Sequence, residues 1–338
     1  MRYLIIFLLI LMHSCNQDVP YSMIEGQTMG TTYHITSKYS DVTELKRQVD
    51  SLLLAFNQEL STYISSSTIS RFNQSENGIA LSKVRSPHFY NMMVRSREIY
   101  KMTGGAFDPS IGPLVEFYGF GNEKRDPVNL RDTIQLKEKL NLVGFDKFVF
   151  KEINDTFVIN KPQSEMTIDF SSIAKGYGVD LVCQLIDQKG IEDYLVEIGG
   201  ESRAKGVNAN GRVWTLGINT PDPAAGLRDF ISVVKLNNKS LATSGNYRNF
   251  YNVDSITYVH IIDPMTGMSK PSDILSATIL ADDCATADAI ATASIVMETE
   301  DAMNLINKID GVEACFIIAP SGKYDFIYSN NYKAFNNE

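Results

Sequence analysis

The 338-residue sequence contains few of the residues that build disulfide frameworks or zinc sites. It has four cysteines and four histidines. Beyond the N-terminal segment, the three remaining cysteines are an odd number in apolar surroundings (Cys183, Cys284 and Cys315). We therefore expect buried thiols and no disulfide framework. The three histidines beyond that segment are widely scattered, with no cysteine at ligand spacing, which disfavours a zinc site.

The sequence also lacks an excess of basic residues and the most common catalytic signatures. Its formal net charge is −9, which argues against nucleic acid as the main partner. The patterns G-x-S-x-G, H-E-x-x-H, G-x-G-x-x-G and G-x-x-x-x-G-K-[S/T] are absent. Their absence excludes the commonest hydrolase, zinc-protease, Rossmann and P-loop interpretations.

Long apolar runs are absent as well, apart from one short run at the N-terminus. Arg2 precedes an unbroken apolar stretch from Leu4 to Met12, which is shorter than the roughly 20 residues of a membrane-spanning helix. This pattern predicts a signal peptide over residues 1–14. Ser14-Cys15 resembles a bacterial lipobox, so we expect lipid on Cys15; the alternative is ordinary signal cleavage near Ser14. Residues 15–23 would form a tether, and residues 24–338 a single domain with two possible lobes.

The periodicity of the remaining sequence predicts alternating groups of helices and strands. Apolar residues at helical spacing predict helices over 42–60, 87–102, 173–189, 285–297 and 300–309. The pattern predicts a hairpin over 147–160 and strands over 194–198, 213–218, 230–236, 257–262, 275–280 and 314–319. Successive strands between clusters of helices favour an α+β fold over regular βαβ alternation.

The residues that differ most from an ordinary loop lie between Thr103 and Gly121. Five glycines, two prolines and four aromatic residues occur within these 19 residues, around Ala106, Phe107 and Asp108. Glycine and proline fix turns and let a backbone approach a ligand closely, and the aromatic residues favour a ligand with a flat ring. The segment is interpreted as a binding loop, with a crossing through the core as the alternative.

A carboxylate and a hydroxyl recur one helical turn apart in Ala287-Asp288-Ala-Ile-Ala-Thr292. Residues i and i+4 share a helix face, and two oxygen donors suit a hard cation such as Mg²⁺. The alternative is that Asp288 caps a helix or interacts with its dipole.

Two further segments carry candidate catalytic groups. In Asp169-Phe-Ser-Ser-Ile-Ala-Lys175-Gly-Tyr-Gly, a polar turn precedes a helix whose N-terminus and Lys175 could bind phosphate; the alternative is a capped helix with a surface lysine. His260 precedes the turn Asp263-Pro-Met-Thr-Gly267. It is a candidate general base, with a structural histidine as the alternative.

Taken together and in order, these segments resemble the ApbE family of FAD:protein FMN transferases. The resemblance covers residues 24 to 320. The segments that carry it are Met29-Gly-Thr31, Leu60-Ser-Thr-Tyr63, the Gly-Ala-Phe-Asp108-Pro and Gly112-Pro-Leu-Val runs, Asp169 to Gly178, Glu197-Ile-Gly-Gly-Glu201, Thr243-Ser-Gly-Asn-Tyr-Arg248, His260 to Gly267 and Ala287 to Thr292.

The resemblance implies a fold and a set of site residues. It implies mixed, largely antiparallel sheets with packed helices in a T-fold-like architecture. By similarity, Mg²⁺ would be bound by the backbone carbonyl of Ser172 with Asp288 and Thr292. The FAD site would be lined by Met29, Tyr63, Ala106, Phe107, Asp108, Asp169, Lys175 and Ile262.

The resemblance also implies a reaction. A threonine or serine hydroxyl of an acceptor protein would attack the phosphorus on the FMN side of FAD, and AMP would leave. His260 would be the base or proton shuttle, with Asp169 and Asp288 as weaker candidates and Lys175 stabilising charge. The sequence departs from the family pattern at Ser171-Ser172, at Met265, where a basic residue is common, and at Ala291, where some relatives have a third carboxylate.

Two other functions and a location follow from the same resemblance. The chain could hydrolyse FAD to FMN and AMP, which Ala291 disfavours, or bind flavin without catalysis. Expected acceptors are membrane redox subunits of the Na⁺-pumping NADH:quinone reductase or Rnf type. Lipid on Cys15 would hold the protein on a membrane facing the periplasm, with the inner membrane favoured over the outer.

Overall fold

The structure is a computed structural model. It describes residues 19–121, 132–226, 228–245, 250–253, 256–269 and 271–332. The predicted signal peptide, Cys15 and the last part of the Thr243–Arg248 motif lie outside the described residues. No helix in the described ranges is long and apolar enough to cross a bilayer.

The described residues form eight α-helices and fifteen β-strands, joined by turns and loops. The helices are α1 (Val42–Leu60), α2 (Thr68–Gln74), α3 (Pro87–Met102), α4 (Gly112–Phe117), α5 (Thr133–Leu140), α6 (Ala174–Gln188), α7 (Cys284–Val296) and α8 (Thr299–Ile306). The strands are β1 (Tyr21–Thr28), β2 (Thr31–Lys38), β3 (Gly78–Ser82), β4 (Val149–Ile153), β5 (Thr156–Asn160), β6 (Tyr194–Ile198), β7 (Glu201–Lys205), β8 (Trp214–Asn219), β9 (Phe230–Leu236), β10 (Lys239–Ser244), β11 (Phe250–Val253), β12 (Ile256–Val259), β13 (Ile274–Ala281), β14 (Glu313–Ile318) and β15 (Asp325–Tyr328).

The main sheet has eight strands in the order β1-β2-β6-β7-β10-β13-β14-β15, and every pair of neighbours is antiparallel. The β1–β2 hairpin turns at Met29-Gly30, where both residues have positive φ (50° and 73°). Such a turn matches the right-handed twist of the flanking strands. The predicted α+β class with largely antiparallel sheets is confirmed.

Both faces of the main sheet are covered near its centre. On β13, Ala277, Ile279 and Ala281 pack with α7, whereas Leu280 packs in the cluster formed with the β8–β9 hairpin. Alternate residues of a strand point to opposite faces, so a strand covered on both sides needs apolar residues at nearly every position. Seven of the eight β13 residues are buried, and Ser276 and Thr278 are its two polar residues.

Helix α7 is buried around nearly its whole circumference, which a helix of alanine, isoleucine and valine permits. It packs on β10 and β13 on one side and on α6 on another. A Cβ atom added at Gly176 of α6 would lie 2.2 Å from the backbone oxygen of Cys284. Glycine at this position therefore lets the two helices approach closely.

A second apolar cluster lies between α2, α3 and the three-stranded sheet β3-β5-β4. It contains many of the phenylalanines, including Phe72, Phe89 and Phe157, and it reaches the alanine face of α7 at Ala285, Ala289 and Ala293. Because α7 contributes to this cluster and to the main sheet, its polar residues lie where the two layers meet.

Most predicted elements are found within one or two residues of their predicted bounds. The exception among the strands is 257–262, because β12 ends at Val259. Ile261 and Ile262 are buried but lie outside the strand, since Asp263 begins a tight turn. Its carbonyl accepts from the Gly267 N–H at 2.8 Å, and its carboxylate accepts from the Met265 N–H and the Thr266 hydroxyl.

Candidate active site

A cleft with two compartments lies where α6, α7, β7 and the glycine-rich segment meet. The Lys175 compartment has a volume of about 300 Å³ and is lined by Lys175, Glu201, Asp288 and Thr292, among others. The Tyr63 compartment has a volume of about 380 Å³. Val115, Ser171 and His260 line both compartments, so the two adjoin.

The glycine-rich segment contributes residues from both of its halves to the cleft. Gly104 and Gly105 have positive φ (60° and 92°), and the chain that follows brings Ala106, Phe107 and Asp108 to the wall of the Lys175 compartment. The second half forms α4, whose Leu114 and Phe117 are buried in a separate apolar cluster. The segment is therefore both a cleft wall and a core crossing.

Asp108 uses its carboxylate to shape this wall. Its Oδ1 accepts from the N–H (2.7 Å) and the hydroxyl (2.5 Å) of Ser110, and its Oδ2 accepts from the Phe145 N–H at 3.2 Å. Burial raises the pKa of Asp108, although these hydrogen bonds oppose the shift. Both oxygens have protein donors, so the side chain's main effect is to connect the glycine-rich segment to the turn at Gly144-Phe145.

The predicted pair Asp288 and Thr292 lies on one face of α7, and both line the Lys175 compartment. Asp288 is 2% exposed, and its Oδ2 accepts from the Gly176 N–H at 3.0 Å. The residue that caps α7 is Asp283, whose carboxylate accepts from the Thr286 N–H. Asp288 therefore does not cap its own helix, but it accepts an N–H from the first turn of α6, as a helix cap or dipole partner does. The Thr292 hydroxyl contacts the Ser244 hydroxyl at 3.2 Å.

Lys175 lies in the first turn of α6 and faces two carboxylates. Its Nζ is 3.2 Å from Glu201 Oε1 and 4.0 Å from Asp288 Oδ1, and its side chain is 29% exposed. Burial disfavours the charged ammonium, but Asp288 and Glu201 more than offset this, so the pKa of Lys175 is raised. Lys175 is therefore charged and faces the cleft, and the surface-lysine alternative is excluded.

Glu201 is a cleft residue whose role the sequence did not reveal. It begins β7, directly after Gly199 and Gly200, and is 6% exposed. Burial raises its pKa, and Lys175 opposes the shift. A glutamate after two glycines was visible in the sequence, but its proximity to Lys175 depends on the packing of α6 against β7.

The Tyr63 compartment holds two of the predicted flavin residues, Tyr63 and Asp169. Tyr63 is 79% exposed. Asp169 accepts from the Ser171 N–H at 2.8 Å, and its backbone N–H donates to the Pro109 carbonyl at 2.7 Å. Burial raises the pKa of the Asp169 carboxyl, with the Ser171 hydrogen bonds opposing the shift.

His260 directly follows β12 and lies between the two compartments. Its ring meets the ring of Phe120 edge to face, with centroids 6.4 Å apart. A side chain at this position can reach a group bound in either compartment, as a proton acceptor must.

The Lys175 compartment also contains two further predicted site residues, Ser172 and Ile262. Met29 does not line either compartment. It occupies the β1–β2 turn, and its methyl group would lie 2.6 Å from a Cβ added at Gly178 of α6. A role for Met29 in flavin binding stays a prediction.

Comparison with known proteins gives one consistent family. The model of the ApbE family matches residues 29–316. The chain belongs to the ApbE family. It is 35% identical over 302 residues to the FAD:protein FMN transferase of Haemophilus influenzae, covering 87% of this chain and 86% of that protein. It is 33% identical to the enzyme of the same name from Vibrio cholerae, covering 97% and 96%.

Solved structures of the family have the same fold. The flavin transferase ApbE from Vibrio cholerae superposes with a TM-score of 0.82 at 32% identity, covering 94% of this chain and all of that one. The apo form of the Pseudomonas stutzeri flavinyl transferase ApbE gives a TM-score of 0.79 at 27% identity, covering 94% and 96%. The predicted family and its architecture are confirmed.

Proposed function

We propose that the protein is an FAD:protein FMN transferase. It moves FMN from FAD to a threonine or serine hydroxyl of an acceptor protein and releases AMP in a Mg²⁺-dependent reaction. The observation that carries the proposal is the convergence of Lys175, Asp288 and Thr292 in one cleft, in a chain of the ApbE family.

The oxygen donors of this cleft fit a magnesium site. The carboxylate of Asp288 and the hydroxyl of Thr292 line the same compartment as Ser172, whose backbone carbonyl would be the third ligand. Mg²⁺ prefers oxygen ligands and usually retains waters or binds substrate phosphates as well. In the described ranges no group of three or more His, Cys, Asp or Glu side chains could hold a metal, which fits an ion completed by its substrate.

The chain's own residues would divide the reaction between them. Lys175 would bind the pyrophosphate and stabilise charge that develops on its oxygens. The acceptor hydroxyl would form a bond to the phosphorus of the FMN half, the bond from that phosphorus to the bridging oxygen would break, and AMP would leave with that oxygen. His260 would accept the proton of the hydroxyl. Bound Mg²⁺ would neutralise phosphoryl charge.

The two compartments would hold different parts of FAD. The pyrophosphate would lie beside Lys175, while the aromatic side chains of Tyr63 and Phe120 at the Tyr63 compartment could stack on a flat ring. The wall formed by Ala106 to Asp108 would position the substrate between them. In-line alignment of hydroxyl, phosphorus and leaving oxygen would supply a large part of the rate.

The acceptor and the location belong to the same proposal. The acceptor would be a protein with an exposed threonine or serine flavinylation motif, and subunits of membrane redox complexes of the Na⁺-pumping NADH:quinone reductase or Rnf type are candidates. Lipid on Cys15 would hold the enzyme on a membrane facing the periplasm, beside such acceptors.

The test is intact-mass spectrometry of an acceptor domain incubated with residues 16–338, FAD and Mg²⁺, with AMP measured in parallel. Equal amounts of covalent FMN adduct and AMP are expected. AMP without adduct on any tested acceptor would favour FAD hydrolysis, and FAD binding without either product would favour a flavin-binding protein.

The role of His260 has its own test. The His260→Ala variant should transfer FMN at least about a hundredfold more slowly, because general-base catalysis contributes about 10² to 10⁴ in rate. The measurement is the adduct formation rate between pH 6 and 9. A variant that retained the wild-type rate across this range would contradict the assignment.

A further inference from the structure

Three ionisable side chains, those of Lys175, Glu201 and Asp288, meet in the Lys175 compartment. Lys175 lies closer to one of the two carboxylates than to the other. The ammonium of Lys175 lies 3.2 Å from Glu201 but 4.0 Å from Asp288. Both carboxylates are almost fully buried, with exposures of 6% and 2%. Lys175 therefore pairs more closely with Glu201, whose role was not predicted from the sequence, than with Asp288.

The difference between the two distances matters because Asp288 is a magnesium ligand in the proposed reaction. One of its oxygens, Oδ2, already accepts from the Gly176 N–H. The other, Oδ1, lies 4.0 Å from Lys175 Nζ and is the oxygen that can bind a cation. An ammonium drawn directly onto Oδ1 would compete with a divalent cation for the same carboxylate, since two neighbouring cations repel each other.

The bonding of Glu201 also points to more than stability. Its Oε1 faces Lys175, while its Oε2 is buried and has no hydrogen-bond partner among the described residues. A buried carboxylate oxygen without a donor lowers the free energy of unfolding. The contact of Glu201 with Lys175 is therefore maintained at a cost in stability, which points to a function in the cleft.

We infer that Glu201 is a positioning residue that holds the Lys175 ammonium away from Asp288, so that Asp288 remains available to a divalent cation. This inference rests on the proposed function, because it assumes that the cation binds at Asp288. Glu201 would act on the cation only through Lys175, which Gly199 and Gly200 make possible by placing the start of β7 against α6.

The experiment measures Mn²⁺ binding to the purified protein, followed by the electron paramagnetic resonance signal of the free ion, without turnover. In Glu201→Gln, which keeps the shape of the side chain, Lys175 loses the negative charge of its nearer partner, so its attraction to Asp288 becomes the stronger one. The Mn²⁺ affinity should then fall about tenfold. Lys175→Met should bind Mn²⁺ at least as tightly as the wild type, and the double variant should recover the wild-type affinity to within about threefold.

Each outcome decides one point. Unchanged affinity in Glu201→Gln would overturn the positioning role. A double variant as weak as Glu201→Gln alone would mean that Glu201 binds the cation directly, which also overturns it. If Asp288→Asn binds Mn²⁺ as well as the wild type does, the cation site of the proposed function itself fails. Circular dichroism of each variant shows whether it is folded.

Discussion

At the scale of single residues, the cleft shows how two aspartates on one helix acquire different roles. Asp283 lies at the N-terminus of α7 and accepts the Thr286 N–H, whereas Asp288 lies one turn further along and faces the cleft. Their chemistry is identical, so position alone separates a capping residue from a candidate metal ligand.

This difference in position predicts that one substitution lowers activity and the other lowers stability. Asp288→Asn should reduce FMN transfer at least about a hundredfold, with little loss of stability because asparagine can still accept from the Gly176 N–H. Asp283→Ala should lower the free energy of unfolding by about 1 to 2 kcal/mol through the lost cap while the folded enzyme keeps its activity. Urea denaturation and the adduct assay measure the two effects, and equal activity losses would contradict the assignment.

Local spacing in the sequence was sufficient to predict the placement of residues that lie close together along the chain. Asp288 and Thr292 share a helix face by their spacing alone, and Lys175 follows a recognisable polar turn. Glu201 could not be assigned in this way, because its contact with Lys175 joins β7 to α6 across 26 positions of sequence. The bond from the Phe145 N–H to Asp108 joins residues 37 positions apart, so it could not be predicted either.

Glu59 predicts a pH dependence of stability that is separate from the cleft. Burial raises its pKa from 4.5 to about 7, although the Phe89 N–H donates to it at 2.9 Å. Because the unfolded state ionises first as the pH rises, this group lowers the free energy of unfolding between about pH 4.5 and 7, by up to about 3 kcal/mol.

The Glu59→Gln variant removes this titration. Its stability relative to the wild type should increase between pH 5 and pH 8 by up to about 3 kcal/mol, as measured by urea denaturation at both pH values. Glu76→Gln, at an exposed position, is the control. A Glu59→Gln difference that does not change with pH would show that the carboxyl ionises alike in both states.

At the scale of helices and strands, the close approach of α6 and α7 holds the site together. The Gly176 N–H donates to Asp288 across this contact, and an added Cβ would meet the Cys284 carbonyl at 2.2 Å. A larger side chain there must separate the helices, because backbone atoms cannot rotate away as a side chain does.

We therefore expect Gly176→Ala to lower the free energy of unfolding by about 1 to 3 kcal/mol and to weaken Mn²⁺ binding by displacing Asp288. Gly178→Ala on the same helix is the matched control, since its nearest contact is the methyl end of Met29, which can move. Its stability should stay within about 1 kcal/mol of the wild type. Thermal unfolding and Mn²⁺ titration of both variants test this, and equal effects would argue against a special role for the contact.

Element bounds were predictable where the apolar pattern was long. Helices α1 and α3 begin and end as predicted, at Val42–Leu60 and Pro87–Met102. The short helices α2, α4 and α5, of six to eight residues, were not predicted. Helix α8 has eight residues and was predicted over 300–309, but it ends three residues earlier, at Ile306. The strand predicted over 257–262 was too long, because hydrogen bonds to Asp263 override the β-propensity of Ile261 and Ile262.

At the scale of the whole molecule, the order of the main sheet was beyond prediction from sequence. β10 pairs with β7 on one side and β13 on the other, although the β8–β9 hairpin and the β11–β12 hairpin intervene along the chain. This order is decided by the two-sided burial of β13 and by the packing of α7, which are non-local. It brings residues from distant parts of the sequence to one cleft.

At this scale we also predict that attachment to a membrane depends on Cys15 and not on the fold. The Cys15→Ala variant should lose incorporation of labelled palmitate and move from the membrane fraction to the soluble fraction. Purified, it should transfer FMN to a soluble acceptor at the wild-type rate, because β1 begins only at Tyr21 and the cleft residues lie far along the chain. Asn16→Ala, beside the predicted lipidation site, is the control and should remain in the membrane fraction. Palmitate label on Cys15→Ala, or wild-type protein without label, would show that the N-terminal segment is not a lipoprotein signal.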